Sequence, residues 1–516
     1  MKKKTLIGLV LIGMTTLSGC GTGAIRLSEK DYRVTHKSAR KAMTYDDMPS
    51  TGVSKVLVLP IDFEDFPADN LPGGKDNYLK YLENSFFGSE ETTTWNSLRT
   101  FYQKSSYDKL HIEGEVFDWY RSPKSAAQLG AEAKNGGEGA LAANLLNNWW
   151  MNQILDYKRD FTQFDGDGDG LIDAIFMVYS APFHAKDPET GLAINNSFFW
   201  AFRSVAPNSP DPRTPAPSNY MWASQEFMFD AGYYDEEGNH SNWTTEQLAS
   251  GNAKPDAHTF IHETGHMIGL DDYYSYDRGK GDYGGLGGLD MMDFNIGDHN
   301  GYSKWMLGWL HPQMVKKPGV VTLKPLAKEG DAIIIPANWT GNVNSEYILI
   351  DYYTPEGLFK EDSINGYNGG GYPLFYSEPG IRVFHVDART GVMRYNSVTG
   401  SFSLVNYVDN VVSYSGDGNY YGIVHANSIS RTGNQGKNEK YWKLIEMLDV
   451  GETGDLKKSN AVATNEMLFK VGDSFGYDTY TDFEFHSKKD DGTPYKMPFK
   501  FEVLEMNEKF AKIKFA

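Results

Sequence analysis

The stretch "HTFIHETGHMIGLDDYYSYD", residues 258–277, decides how the rest of the chain is read. It carries His262, Glu263 and His266 in the pattern H-E-x-x-H. On a helix, side chains four apart stand one above the other on the same face. Both imidazoles therefore reach one Zn²⁺ at about 2.0–2.1 Å, the usual zinc–nitrogen distance. Glu263 falls beside that cation, where it can take a proton from a water as general base. Gly269, three residues past His266, accepts the left-handed conformation that stops a helix, so the chain can turn back toward the metal. Asp272, the tenth residue after His262, is the expected third ligand, with the adjacent Asp271 as the alternative. No glutamate of a following helix competes, because the next one after Glu263 is Glu329. Downstream, glycine-rich turns lead into Met291-Met292. Such a pair is usually core filler, but after this motif it reads as a methionine turn beneath the metal.

Working upstream, "DGDGDGLID" places the carboxylates of Asp165, Asp167, Asp169 and Asp173 at positions 1, 3, 5 and 9 of a loop, with Leu171 offering its carbonyl from position 7. Position 12 is Phe176 and a strand follows, so the loop is not an EF-hand. The bland reading is an acidic turn whose aspartates cap backbone N–H groups. Four like charges this close repel without a cation, so a structural Ca²⁺ is the expectation.

The wider composition is that of a globular protein. The 516 residues exceed what one core normally organises. Hydrophobic residues make up 40% and charged residues 23%. A formal net charge of -19 would repel nucleic acid and argues against such partners. The chain opens "MKKKTLIGLVLIGMTTLSGC", a charged start, a short apolar run and a small-residue cleavage site, as in an export leader. "LSGC" resembles the bacterial lipobox, which makes Cys20 the lipidation site and 1–19 the leader. Two acyl chains on such a cysteine suffice for stable membrane anchoring. Cys20 is the sole cysteine, so no intramolecular disulfide is possible.

Residues 20–52 read as a polar tether. Order is expected from "SKVLVLPIDF", a buried strand beginning at Ser54. Helical patterns follow near 77–87, 94–104 and 140–157, and "AIFMVYSA" reads as a second buried strand. After about Pro312, short β-branched runs such as "DAIIIPA", "EYILIDYY" and "GIRVFHVDA" alternate with turn residues. The expected division is a catalytic domain over 53–312, including the aspartate loop, and a β-rich domain over 313–516.

"HETGHMIGLDDYY", then "DMMD" and "GYSKWMLGWL", together resemble the immune inhibitor A family of secreted bacterial zinc metallopeptidases. "SLRTFYQKSSYDKLHIEGEVFDWY", "FDGDGDGLIDAIFMVY" and "PGIRVFHVDA" share that resemblance and follow the family's order from about Val53. One departure is Asp271, where relatives usually carry proline. The resemblance implies an α/β (α+β) metzincin-like catalytic domain, with a mixed sheet and an active-site helix, followed by a sandwich-like β-rich domain. By matching position it implies zinc on His262, His266 and Asp272, Glu263 as general base, and Met292 as the turn methionine. It also implies hydrolysis of protein or peptide substrates outside the cell. A tyrosine often assists the oxyanion; Tyr273, Tyr274 and Tyr302 are all near in sequence, while His299 reads as structural.

Two other classes stay in view. A surface adhesin could keep a metal-stabilised fold without turnover, and the 14% aromatic content would serve binding. Glu263 would then have no use, and a structural zinc site would be closed by a fourth protein ligand. A glycan-cleaving enzyme normally needs a carboxylate pair, which is not evident outside the aspartate loop.

Overall fold

The computed structural model describes residues 23–27 and 48–516, apart from 135, 189, 196, 236, 397–400, 409–418, 430–441 and 482. The leader and Cys20 lie outside the described residues. No helix among the described residues is long and apolar enough to cross a membrane.

The N-terminal half is built on a mixed sheet with strand order Leu110–Val116, Gly52–Asp62, Ile175–Tyr179, Asn219–Ser224, Phe202–Val205. The first four run parallel, and Phe202–Val205 joins antiparallel at the edge. Two-residue Tyr120–Arg121 also pairs with Gly52–Asp62. Parallel strands are covered by helices on both faces, so their sequences are apolar on both sides. Val56, Val58, Phe176 and Val178 face one core, and Leu57, Leu59, Ile175 and Met177 the other. The first core takes the helices Lys75–Phe87, Leu98–Ser105 and His258–Met267. The second takes Ala126–Glu132 and Glu138–Leu155, with Trp149 buried against Phe117 and Phe161. The segment from Asn219 to Tyr234 is not one strand. It breaks after Ser224 into the turn Gln225–Met228, because the Ser224 hydroxyl accepts the Glu226 N–H and caps that turn.

A second mixed sheet forms the middle of the molecule, in the order Ala24–Arg26, Gln313–Val315, Ala332–Pro336, Glu346–Tyr353, Gly380–Asp387, Ile445–Leu448. Its first strand comes from the stretch expected to be a tether. Ala24, Ile25 and Arg26 pair with Val315, Met314 and Gln313, and Arg26 reaches Asp331 at 3.0 Å. One face of this sheet presents Ile333, Ile335, Ile348, Ile350 and Val383 to a four-stranded antiparallel sheet, which contributes Val321, Val503, Ile513 and Phe515. That pair of sheets is a sandwich. The opposite face, with Ile334, Leu349 and Phe384, belongs to the same core as the helix His258–Met267. The chain changes character at about residue 312, but this core runs through the change.

Candidate metal centre

The helix His258–Met267 starts where Asp256 Oδ1 accepts the His258 N–H at 3.1 Å. It stops at Gly269, whose φ is +97°, with Leu270 N–H returning to Gly265 O at 2.9 Å. This closure sends the backbone back across the helix, and Asp272 arrives beside both histidines. Its Oδ1 lies 3.1 Å from His262 Nε2 and 3.2 Å from His266 Nε2. Atoms bound to one tetrahedral zinc at about 2.0–2.1 Å lie about 3.3–3.4 Å apart. The observed spacing is close to that, and the three residues form one of the groups able to hold a metal. Asp271 is not in the group.

Surrounding atoms orient the donors. His262 Nδ1 lies 2.8 Å from Met291 O, and His266 Nδ1 lies 2.9 Å from Leu270 O. A carbonyl only accepts, so each Nδ1 carries a proton and each Nε2 is the nitrogen turned to Asp272, the one that would give up its proton to a metal. The Asp272 oxygens divide their work, because Oδ2 accepts the Tyr276 hydroxyl at 2.5 Å and leaves Oδ1 to the imidazoles. Burial raises the Asp272 pKa, but the two imidazoles outweigh it and hold the carboxyl far below its usual range. Burial opposes charge on His266 too, yet Asp272 lifts it to about 9. His262 is raised against the same opposition. Glu263 is buried, which raises its carboxyl pKa, with both imidazoles opposing and the Arg203 charge also within reach.

Beneath the helix, Met292 packs against Gly265 so closely that a Cβ there would meet its sulfur at 2.2 Å. Met292 O accepts the Tyr273 N–H at 2.8 Å, so the methionine turn braces the aspartate turn as well as His262. The turn is itself pinned by Asp290, at φ +124°. Its carboxylate accepts from Met292 N at 2.9 Å and Asn300 N at 2.6 Å, and faces His299 Nδ1 at 3.2 Å. His299 is fully buried among Phe101, Tyr102 and Trp309 and belongs to this scaffold.

Of the three tyrosines singled out in the sequence, Tyr274 stacks at 6.4 Å on the His262 ring, and burial, then the Asp272 charge, push its hydroxyl pKa up. Tyr273 is buried with its hydroxyl 2.9 Å from Ser303, and Tyr302 is buried too. Sequence reasoning passed over three residues. Tyr276 was discoverable, being four residues past Asp272 in the same turn. Arg203 and Asp290 come from elsewhere in the chain and carry no local signature.

In the aspartate loop, Asp165, Asp167 and Asp173 bring one oxygen each within 4.8 Å of the others. Asp169 is turned differently, its Oδ1 accepting the Leu171 N–H at 2.9 Å. Asp165 also caps the loop, accepting from Asp169 N and Gly170 N at 3.0 Å each. Burial, then its aspartate neighbours, raise Asp173 to about 7, with the Gly166 N–H opposing. Leu171 sits in a short parallel pairing with Ala216.

A third group, Glu346, His385 and His486, lies on the central sheet and had no sequence signal, because its members are up to 140 residues apart. Each already faces protein. His385 lies between Glu346 Oε1 at 2.8 Å and Glu446 Oε1 at 3.5 Å. Glu346 also accepts the backbone N–H groups of His486 and Ser487 at 2.6 and 2.7 Å. Nearby, Asp387 pairs with Arg389 through two 2.7 Å bonds and with His486 Nδ1 at 2.8 Å. This is a buried ion-pair network.

No curated protein matches the chain. Residues 43–291 match the family described as Immune inhibitor A peptidase M6, catalytic domain. The match takes in the aspartate loop, the helix and its returning turn, and stops one residue before Met292. The likeness to the immune inhibitor A peptidase M6 family is carried by these residues, 43–291, which match its catalytic domain.

Proposed function

We propose that the chain is a zinc-dependent endopeptidase in which His262, His266 and Asp272 hold the metal and Glu263 is the general base. The observation carrying this reading is a single carboxylate oxygen 3.1 and 3.2 Å from two imidazole nitrogens whose other ring nitrogens are tied to carbonyls. The donor set, two neutral imidazoles and one carboxylate, is the kind a catalytic zinc site uses, with a position left for chemistry. A bound Zn²⁺ supplies Lewis acidity toward the scissile carbonyl and the attacking water. Glu263 takes the water proton and delivers it to the leaving amine. Burial makes its carboxylate a stronger base than an exposed glutamate, which suits that transfer. Tyr276 and Tyr274, both at Asp272, keep the ligand oriented and stand where a developing negative charge can be met.

The aspartate loop is proposed as a structural calcium site, carried by Asp165, Asp167 and Asp173, with Asp169 holding the loop shape and Leu171 offering its carbonyl. The clustered charge supports this, since a divalent cation would relieve it. Metal analysis of the wild-type chain should then find one zinc and one calcium. Glu263→Gln should retain the zinc and lose peptide cleavage by about 10²–10⁴-fold, whereas Asp272→Ala should lose the zinc. Undiminished casein cleavage by Glu263→Gln would refute the mechanism, and calcium content unchanged by Asp165→Ala would refute the loop assignment.

The setting is proposed from the sequence alone: export, lipidation at Cys20 and action on proteins outside the cell. Mass spectrometry of the membrane fraction should find a diacylated Cys20 at the mature N-terminus, and Cys20→Ser should release the chain into the medium.

A further inference from the structure

The parallel strands of the N-terminal sheet define a place for a ligand apart from the metal centre. From Gly52–Asp62 the chain first adds Leu110–Val116 on one side, then crosses to add Ile175–Tyr179 on the other. In open parallel sheets, ligands bind outside the carboxyl ends of the strands where the winding reverses. Both strands at this reversal run straight into one cavity of about 580 Å³, the first through Asp65 and Phe66, the second through Ser180 and Phe183. The neighbouring strand Asn219–Ser224 delivers Glu226 to the same cavity. That volume falls within the range of small-ligand sites.

The lining has a definite chemistry. Phe66, Tyr78, Phe183, Phe229 and Trp243 give aromatic walls, and the charged residues are Asp65, Glu226 and Asp230. No lysine, arginine or histidine lines it among the described residues. Asp65 is committed to capping a helix, accepting from Ala126 N and Ala127 N at 2.8 and 3.0 Å. Among the described residues Glu226 accepts only the Phe183 N–H, at 3.1 Å, and burial pushes its carboxyl up to about 6. Asp230 stands exposed one helical turn further on. A carboxylate half-buried among aromatic rings with no cation beside it is an incomplete pair. The missing member is a cation that can also lie against ring faces. A planar guanidinium or an ammonium on an apolar stem meets both demands. The Trp243 indole N–H is buried without a hydrogen-bond partner among the described residues. The turn that bears Glu226 also packs on the active-site helix, with Met228 O accepting the Asp256 N–H at 2.8 Å.

We infer that this cavity binds an organic cation, a guanidinium or ammonium on an apolar stem, as in an arginine or lysine side chain of a peptide.

Calorimetric titration of the full chain with agmatine tests it, with n-butanol as the neutral control and butyrate as the anionic one. Agmatine should bind saturably and neither control should. Glu226→Gln and Trp243→Ala should each weaken agmatine by about tenfold or more, the loss expected for a charged hydrogen bond or a desolvated cation–π contact. Asp230→Asn, which removes the carboxylate at the exposed rim, should weaken agmatine less than Glu226→Gln does. Binding should persist in Glu263→Gln, so a failure of the peptidase reading is separable from a failure here. Peptide cleavage distinguishes the source of the cation. If a substrate side chain enters, Glu226→Gln raises KM for an arginine peptide and not for its citrulline counterpart. If a free amine is the ligand, agmatine binds and both peptides are cleaved as before. No agmatine binding to the wild-type chain, or wild-type affinity retained by both Glu226→Gln and Trp243→Ala, overturns the inference.

Discussion

Gly265 shows how much one missing methyl group can matter. The helix must lie close enough to the methionine turn for Met291 O to hold His262, and only glycine leaves room for the Met292 sulfur at that separation. Gly265→Ala overpacks a fully buried contact, so it should destabilise the fold by about 1–3 kcal/mol and weaken zinc retention. Combining it with Met292→Ala should cost less than the sum of the two single changes, because both act on the same contact. Thermal unfolding of the four chains measures this, and strict additivity would rule it out. Asp290, opposite, sits at a φ that costs a non-glycine residue roughly 1–3 kcal/mol, and its buried carboxylate bonds offset that cost. The histidines and Asp272 could be read from sequence because helical spacing and a glycine stop are local rules. Asp290 could not, since its partners are fixed only once the turn has packed under the helix.

At the level of elements, the strands were the easier reading. Runs such as "DAIIIPA" and "EYILIDYY" are mostly apolar and buried on both sides because both faces of the central sheet are covered. What the runs hide is which face meets which neighbour, and that the short "AIR" near the N-terminus completes the edge. The charged network on Glu346–Tyr353, Gly380–Asp387 and Ile445–Leu448 was equally hidden, because pairing across strands depends on register. Its behaviour with pH follows from its groups. Burial disfavours a charged His385, but Glu346 and Glu446 raise it from 6.5 to about 9. The stabilisation from His385 is therefore complete below pH 6.5 and lost as pH rises through about 9. Burial likewise opposes charge on Glu446, but His385 lowers it from 4.5 to about 2. Its contribution is complete above pH 4.5 and lost as pH falls through about 2. The Tm difference between wild type and Glu446→Gln should thus be largest between about pH 4.5 and 6.5 and shrink on both sides. A difference independent of pH would show that packing, not charge, sets it.

At the scale of the whole molecule, the described residues form three cores, and the largest is shared. Phe260 and Ile261 of the helix His258–Met267, Trp305 and Trp309 after the Met291-Met292 turn, and Leu349 and Phe384 of the central sheet all belong to it. The compositional change near residue 312 marks where helices give way to strands, which sequence can show. It cannot show that the new strands roof the old core. A chain ended at Pro312 would leave that core's aromatic face to water, an apolar surface of the kind that drives aggregation. It should fail to unfold cooperatively on heating and should bind a hydrophobic dye. A soluble 1–312 chain with a sharp melting transition would show instead that the halves fold independently.

The edge strand Ala24–Arg26 has a mechanical meaning. A chain spans at most about 3.6 Å per residue, so Cys20 can stand no further than about 14 Å from Ala24. If acyl chains are attached there, the enzyme has almost no leash and rides directly on the lipid surface. It would then work on what drifts past at the height of its own body, within reach of the headgroups and not far beyond them.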